Sequence, residues 1–450
     1  MSLGHADFRR AERQAMSARR RLLPSAAGWF TALVMLSGFT SSAEAGGFAN
    51  ENQAASADSR ASAVTASVGD ASAAFYNPAA MVRLDRSQVY LGGAAITLGV
   101  SFEGEAPFPG ASVAEETNFK IYPMPNLYGV VRLGERWAVG TAVNTPYGLG
   151  SEWKDPNSYS GRFIAYSSAL VPVSAGLSVA YAIDDRWSVA VGGNVLFTNL
   201  QLKRRIPGAA FGCTASDVAD AAISATMEPG YGWQAALAYA PSQLWRIGAV
   251  FQSGITSTVE GNADFTQIVT GDATCDAIVA ANLPPDQPVH TEFNYPNLYT
   301  VGVAWLPHGD WTIEGDFQFG EYSVWQSTDL HFQATPMLDE SIPQDYQDAW
   351  QLRLGAERRL SRVALRAGYH YSTAASPSKS LSPIYADLVR HGFAVGAGYA
   401  LGSSRRVRLD LAYLVLLNVE ASTNGASTYG YNGSYDATLH ELAIGVMWVL

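Results

Sequence analysis

The sequence predicts an all-β fold: a 14-stranded antiparallel transmembrane β-barrel of the outer-membrane kind, with an N-terminal helical hatch plugging the lumen. Three observations predict it. Apolar and polar residues alternate with period two from about residue 87 onward. Tight connections alternate with long polar ones. Tryptophans recur beside the tight connections.

The alternation separates two kinds of face. In 187–199, Trp187, Val189, Val191, Val195 and Phe197 share one side, and Ser188, Ala190, Gly192, Asn194 and Thr198 the other. In 311–319, Trp311, Ile313, Phe317 and Phe319 oppose Thr312, Glu314, Asp316 and Gln318. Further on, Val363, Leu365, Tyr369 and Tyr371 oppose Arg366 and His370, and Leu409, Leu411 and Tyr413 oppose Arg408 and Asp410. A soluble sandwich would alternate as well. The connections decide. Those at 133–136, 183–186, 306–310, 359–362 and 402–405 are tight, whereas 149–161, 205–230, 261–292, 325–345, 375–389 and 420–436 are long. Short periplasmic turns with long outer loops are the barrel arrangement. Trp137, Trp187 and Trp311 follow tight turns and Trp305 precedes one, as expected of indoles at a membrane interface.

Taken in order, the strands are expected at 87–102, 119–132, 136–148, 162–182, 187–204, 231–241 and 245–260. The rest fall at 293–305, 311–324, 346–357, 362–374, 390–401, 406–419 and 437–450. An even count lets the first and last strands pair, which matters because an open edge is intolerable in lipid. The last run suits that pairing, since Leu442, Ile444, Val446, Trp448 and Leu450 alternate throughout.

Composition agrees. Charged residues make up 15% of the 450, against about 25% in soluble domains. Residues 1–45 read as an export signal: Arg19–Arg21, an apolar run from Ala26 to Phe39, and an Ala43-Glu44-Ala45 cleavage site that leaves Gly46 first. Met16 offers a second start. Those 45 residues carry six Arg against three acidic groups, so with −11 overall the remainder stands near −14. That balance argues against a nucleic-acid partner. Cys213 and Cys275 are the two cysteines, and in an exported chain they are expected as a disulfide, with two free thiols as the alternative.

Residues 46–86 have no strand pattern and are rich in Ala and Ser. Fourteen strands enclose a lumen too wide for opposite walls to meet, so water, loops or a helix must fill it. Small residues pack closely and suit that task. Asp70 can cap a short helix, and Pro78 biases Asn77 away from helical angles and breaks it. An exposed linker is the alternative, disfavoured by Phe75-Tyr76 and by Ala79 to Val82.

The stretch "GGFANENQAASADSRASAVTASVGDASAAFYNPAAMVRL", with Asn77-Pro78-Ala79 at its heart, resembles the hatch of the outer-membrane long-chain fatty acid transporters. That family includes channels for toluene and other aromatic hydrocarbons. The likeness continues through 123–149, "GRF" at 161–163, "YGWQAALAYAP", "RIGAVFQSGI" and "LRAGYHY". It implies a monomeric outer-membrane channel that captures a hydrophobic small molecule between loops 205–230 and 261–292. The ligand then enters an apolar pocket and leaves sideways when the hatch moves. Gly46 and Phe48 would begin the hatch, and Phe75, Tyr76, Asn77, Pro78 and Ala79 would form its middle. Val218 to Met227 would supply a short outer helix, with Cys213 and Cys275 tying the two loops. The gate would be the third strand, at Asn144 and Pro146, where proline and flanking glycines loosen the ladder.

Arg162, in the matching Gly-Arg-aromatic segment, is the preferred partner for a fatty acid head group, with Arg353 and Arg366 as further ligand residues. Each has a plainer reading as part of a polar wall network: Arg408 with Asp410, and Arg366 with Glu314 or Asp316. His370 is treated likewise. Long-chain fatty acids are the expected cargo, an aromatic hydrocarbon the alternative, and a general porin a weaker one. No P-loop, G-x-S-x-G or paired-histidine metal motif is present, so neither catalysis nor a cofactor is expected and transport should be passive. The remaining partners expected are outer-membrane lipid and lipopolysaccharide.

Overall fold

The computed structural model of the protein describes residues 48–450. The predicted export signal and Gly46 lie outside the described residues. From Gln88 onward the chain forms a closed antiparallel barrel of fourteen strands. The first seven are β1 (Gln88–Gly104), β2 (Ile121–Leu133), β3 (Trp137–Asn144 and Leu149–Glu152), β4 (Ser167–Ala182), β5 (Trp187–Pro207), β6 (Asp217–Met227 and Gly230–Tyr239) and β7 (Trp245–Gln252 and Ile255–Gln267). The others are β8 (Gln287–Tyr295 and Leu298–Trp305), β9 (Trp311–Gly320), β10 (Ala349–Leu360), β11 (Val363–Ser372), β12 (Arg390–Leu401), β13 (Val407–Asn418) and β14 (Gly433–Val449). Closure is made by β1 on β14, in register from Gln88 opposite Val449 to Gly104 opposite Gly433. Neither the first nor the last strand is left as an open edge.

The faces fall as the period-two pattern requires. Val191, Leu352, Leu411 and Ile444 point outward and are exposed, while Ser188, Glu314, Asp316, Arg353 and Asp410 point inward and are buried. Outward aromatics form two rings. On the short-turn side, Trp137 packs on Tyr181, Trp187 on Tyr239 and Trp245 beside Trp305. Six to eight residues further along the strands, Trp233, Phe251, Tyr299 and Phe319 form a second ring that continues through Trp350 to Tyr371. At about 3.3 Å per residue and a tilt near 40°, that spacing sets the two rings roughly 15–20 Å apart across the membrane, inside an apolar band about 25 Å tall.

Several strands run well past the outer ring. β5 has 21 residues, about twice what is needed to cross the hydrocarbon. This changes the reading of the outer loops. Val218 to Met227, expected as a helix, is strand: it pairs on one side with β5 and on the other with β7, from Met227 opposite Val259 to Ala219 opposite Gln267. Two paired neighbours satisfy its backbone donors and acceptors, which outweighs any local helical tendency. The segment 261–292 likewise continues β7 and begins β8, and its helix is Ala273–Asn282. Asp272 caps that helix by accepting from the N–H groups of Thr274 and Cys275. A Cys213–Cys275 disulfide ties it to the loop after β5.

Candidate substrate site

Residues 48–84 are almost wholly buried. They form α1 (Ala55–Asp58), α2 (Ala73–Tyr76) and a 3-10 turn, Pro78–Arg83. After α1 the chain reverses through Ala61 and Ser62, both at positive φ. Asn77 ends α2 and starts the next turn, its side chain accepting from the Ala79 N–H at 3.0 Å. Its amide also donates to the carbonyls of Thr65 and, on β6, Leu237. The wall meets this segment through glycine. A Cβ at Gly248 would stand 2.3 Å from the Thr65 carbonyl oxygen, and one at Gly368 2.2 Å from the Arg60 carbonyl carbon. Only glycine permits such backbone approach. The largest buried apolar cluster joins Ala54, Val64, Met81 and Val82 of the segment to Tyr90, Tyr128 and Ala138 of the wall.

Two groups of charges grip the segment. Asp316 on β9 accepts from the N–H groups of Val64 and Thr65, each at 3.0 Å, and from Thr65 Oγ1 at 2.7 Å. Glu314 accepts from the Ala66 N–H and from Ser67 Oγ. Around the barrel, Arg366 bridges Glu357 and Asp410, each at 2.7 Å, and Arg408 joins Asp410 to Asp70 of the segment. Burial pushes the Asp70 carboxyl up, but the Arg408 charge and hydrogen bonds from Ser72 and Ser56 more than offset it and hold it below its ordinary value. Arg366 therefore pairs with Glu357 and Asp410, not with Glu314 or Asp316.

The third strand is broken where proline was expected to loosen it. β3 pairs with β4 down to Asn144 opposite Ser174 and resumes at Leu149 opposite Leu170, five residues against four. β2 pairs with β3 through Leu127 opposite Val143, which leaves Ile121–Asn126 without that partner. Residues 48–53 occupy the interruption. The Gln53 side chain donates to the Thr145 carbonyl at 2.8 Å and accepts from its N–H at 3.0 Å. The Asn50 N–H donates to the Pro146 carbonyl at 2.8 Å, and the Gly148 N–H to the Phe48 carbonyl at 3.1 Å. Phe48 itself sits within 6 Å of five ring centroids, those of Tyr147, Phe293, Tyr295, Tyr322 and Trp325.

Beside this junction lies a cavity of about 280 Å³. Phe48 to Asn52 border it, Ile96, Leu98 and Met124 give it an apolar side, and Gln351, His370 and Glu441 give it a polar one. Arg390, the one cation in its lining among the described residues, is held by Asp387 at 2.8 Å. A second cavity of about 80 Å³, lined mainly by apolar side chains such as Leu200, Ile223 and Phe293, shares Leu170 with the first and lies toward the outer loops.

The residues singled out from the sequence are distributed unequally. Phe48 borders the larger cavity, and Phe75, Asn144 and Pro146 line a smaller one of about 40 Å³ behind the break in β3. Tyr76 is buried, its hydroxyl donating to the Glu51 carbonyl and accepting from the Gln53 N–H. Pro78 and Ala79 are buried in the segment, the Ala79 carbonyl accepting from Ser188 Oγ. Arg353 lies 3.5 Å from Glu51, and Arg366 is bound in the wall network. Arg162 stands apart: it pairs with Asp217 at 2.9 Å in the outer loops and borders neither the 280 Å³ nor the 80 Å³ cavity. Sequence reasoning missed Gln53, Gln351 and Glu441. Glu441 was visible as a charge at the start of the apolar alternation that ends β14, while Gln53 carried no local signal.

The family model described as outer membrane protein transport protein (OMPP1/FadL/TodX) matches residues 36–447. A long-chain fatty acid transport protein of Escherichia coli is 22% identical over 367 residues, 75% of this chain and 80% of that one. Outer membrane protein P1 of Haemophilus influenzae is 24% identical over 400 residues, covering 79% and 83%. In fold, the chain is similar to the crystal structure of a Pseudomonas aeruginosa FadL homologue, with TM-score 0.78, 18% identity and 90% and 100% of the two chains covered. The toluene transporter TodX of P. putida gives TM-score 0.72 at 18% identity, with 90% and 99% covered. A barrel closed in lipid, whose interior cavities are lined in large part by apolar side chains, thus agrees with a match across nearly the whole described chain: the protein belongs to the OMPP1/FadL/TodX family of outer-membrane transport proteins, which are not enzymes, and is an outer-membrane channel for hydrophobic compounds.

Proposed function

We propose that the channel passively carries compact apolar compounds of the monoaromatic hydrocarbon kind, and that residues 46–86, freed by cleavage after Ala45, stopper its lumen. The observation that carries the choice of cargo is the 280 Å³ cavity whose lining cation is already paired with a carboxylate. An apolar cavity of about 150 Å³ accepts benzene, so this one has ample room for a substituted ring. A long-chain carboxylate would need a free cation for its head and a longer apolar groove for its tail. Solved relatives titled as toluene and monoaromatic hydrocarbon channels accord with the compact cargo, and curated relatives named for long-chain fatty acids keep the other in view.

The route begins at the apolar outer cavity and passes to the larger one, each CH₂ gaining roughly 0.8 kcal/mol on leaving water. It ends at the break in β3. Residues 48–53 hold that break by a handful of hydrogen bonds, whereas residues 64–67 are fixed by Asp316 and Glu314. The gate is therefore residues 48–53, swinging on an anchored remainder and releasing cargo sideways into the bilayer. A complete outward apolar band supports work as a monomer in lipid and lipopolysaccharide. Reconstituted vesicles test the cargo: uptake of toluene but not oleate is expected, and the reverse would return the reading to fatty acids.

A further inference from the structure

Three side chains in the large cavity hold buried polar atoms without a hydrogen-bond partner: both carboxyl oxygens of Glu441, Oε1 of Gln351 and Nε2 of His370. These residues are 1%, 5% and 8% exposed. Asn52 and Asp58 approach Glu441 from the N-terminal segment without reaching hydrogen-bond geometry. Elsewhere in the barrel, buried charges such as Glu357, Arg366 and Asp410 are joined to one another. Orphaned buried polar atoms are rare in folded proteins and call for an explanation. Here they converge on one cavity.

Their chemistry specifies the missing partner. The carboxyl and amide oxygens accept, and even a protonated carboxyl keeps a free lone pair. The imidazole nitrogen donates or accepts according to tautomer. At the cavity's edge, Asn50 Nδ2 is an orphaned donor. Acceptors thus dominate, with one donor within the same cavity, and the opposite wall is apolar. We infer that the cavity is built for a hydrophobic molecule bearing a hydroxyl group, of the phenol or benzylic alcohol class, whose O–H is donated to one of the two orphaned acceptors, Glu441 or Gln351. A hydroxyl both donates and accepts, so it suits this lining better than a pure hydrocarbon, which would leave every one of these atoms unpaired. A carboxylate would bring acceptors only and no hydrogen to give to these oxygens. The inference rests on the compact-cargo reading of the same cavity and narrows it.

The test compares p-cresol with toluene, which differ by one hydroxyl. Affinity of each for the purified full-length protein in detergent is measured by calorimetry and expressed relative to its own octanol–water partition. Expected is a preference for p-cresol of about tenfold, the effect of one hydrogen bond to an otherwise unpaired buried acceptor. Of Glu441→Leu and Gln351→Met, tested separately, at least one should reduce that preference to about threefold or less, with the heat-modifiable barrel band confirming that each variant is folded. The two variants cover the two candidate acceptors. Equal corrected affinities in the unaltered protein would overturn the inference, because the orphaned atoms would then be satisfied by water, and would leave the compact-cargo reading standing. A preference that both folded variants retain would overturn the assignment to these residues. Binding of oleate with no binding of either aromatic would overturn the compact-cargo reading itself.

Discussion

The side chain of Gln53 hydrogen-bonds both backbone groups of Thr145, 92 residues away, at 2.8 and 3.0 Å. In effect one amide stands in for a missing stretch of neighbouring strand at the break in β3. Replacing Gln53 by Ala removes two buried bonds, each contributing about 1 kcal/mol, and leaves two backbone groups unpaired. The expected outcome is faster leak of an apolar dye through reconstituted barrels, by about tenfold, with the heat-modifiable band retained. No change in leak would show that the break is held by the other contacts.

Asp316 and Glu314 should anchor the segment independently of that gate. Glu314→Gln combined with Asp316→Asn leaves half the acceptor oxygens and removes the charge, at roughly 1.5–3 kcal/mol for each charged hydrogen bond weakened. Trypsin then becomes the reporter, because Arg60 is buried in the seated segment. Cleavage after Arg60 should appear in the double variant and be absent from the unaltered protein. Resistance in both would mean that the Arg408–Asp70 pair alone suffices.

Acidity should tighten the seat. Burial pushes the Asp58 carboxyl up to about 7 from 3.8, opposed by hydrogen bonds from the Ala54 N–H and the Tyr76 hydroxyl. Between those values the seated segment binds a proton that a released one has lost, so seating weakens as pH rises through that window. Amide exchange protection over 54–62 should therefore fall from pH 5 to pH 7, by at most about tenfold per pH unit. Asp58→Asn should flatten the dependence. A protection that rises with pH would contradict the sign.

The disulfide is expected to act locally. Cys213 and Cys275 close a loop of 62 residues, for which chain entropy sets an upper bound of about 4 kcal/mol, but that loop already contains two paired strands. Cys213→Ser should raise amide exchange in Ala273–Asn282 while leaving the thermal transition of the barrel within a few degrees. A large fall in that transition would show the outer wall to be part of the cooperative unit.

Much of the architecture was legible because it is written in local pattern. Val363 to Tyr371 alternates, and a strand with one face in lipid has no alternative. The break at Pro146 was expected from the family resemblance, with a proline that cannot donate to a ladder as its physical reason. Val218 to Met227 was misread, because its small residues suit helix and strand alike and only two paired neighbours resolve the choice. Arg162 looked like a ligand residue and is instead tied to Asp217, a partner 55 positions away that nothing in the sequence joined to it.

What the sequence by itself determined is a barrel of fourteen strands with its greasy face outward and a small-residue segment in front. Periodicity and turn length are properties of neighbouring residues, and they survive without knowledge of the rest. What tertiary structure decided is which groups meet inside: Asp316 with Val64, separated by 252 positions, and the unpaired polar atoms of Gln351, His370 and Glu441 around one cavity. Those meetings depend on the register in which the sheet closes, and a shift of one residue would turn each inward group to the lipid.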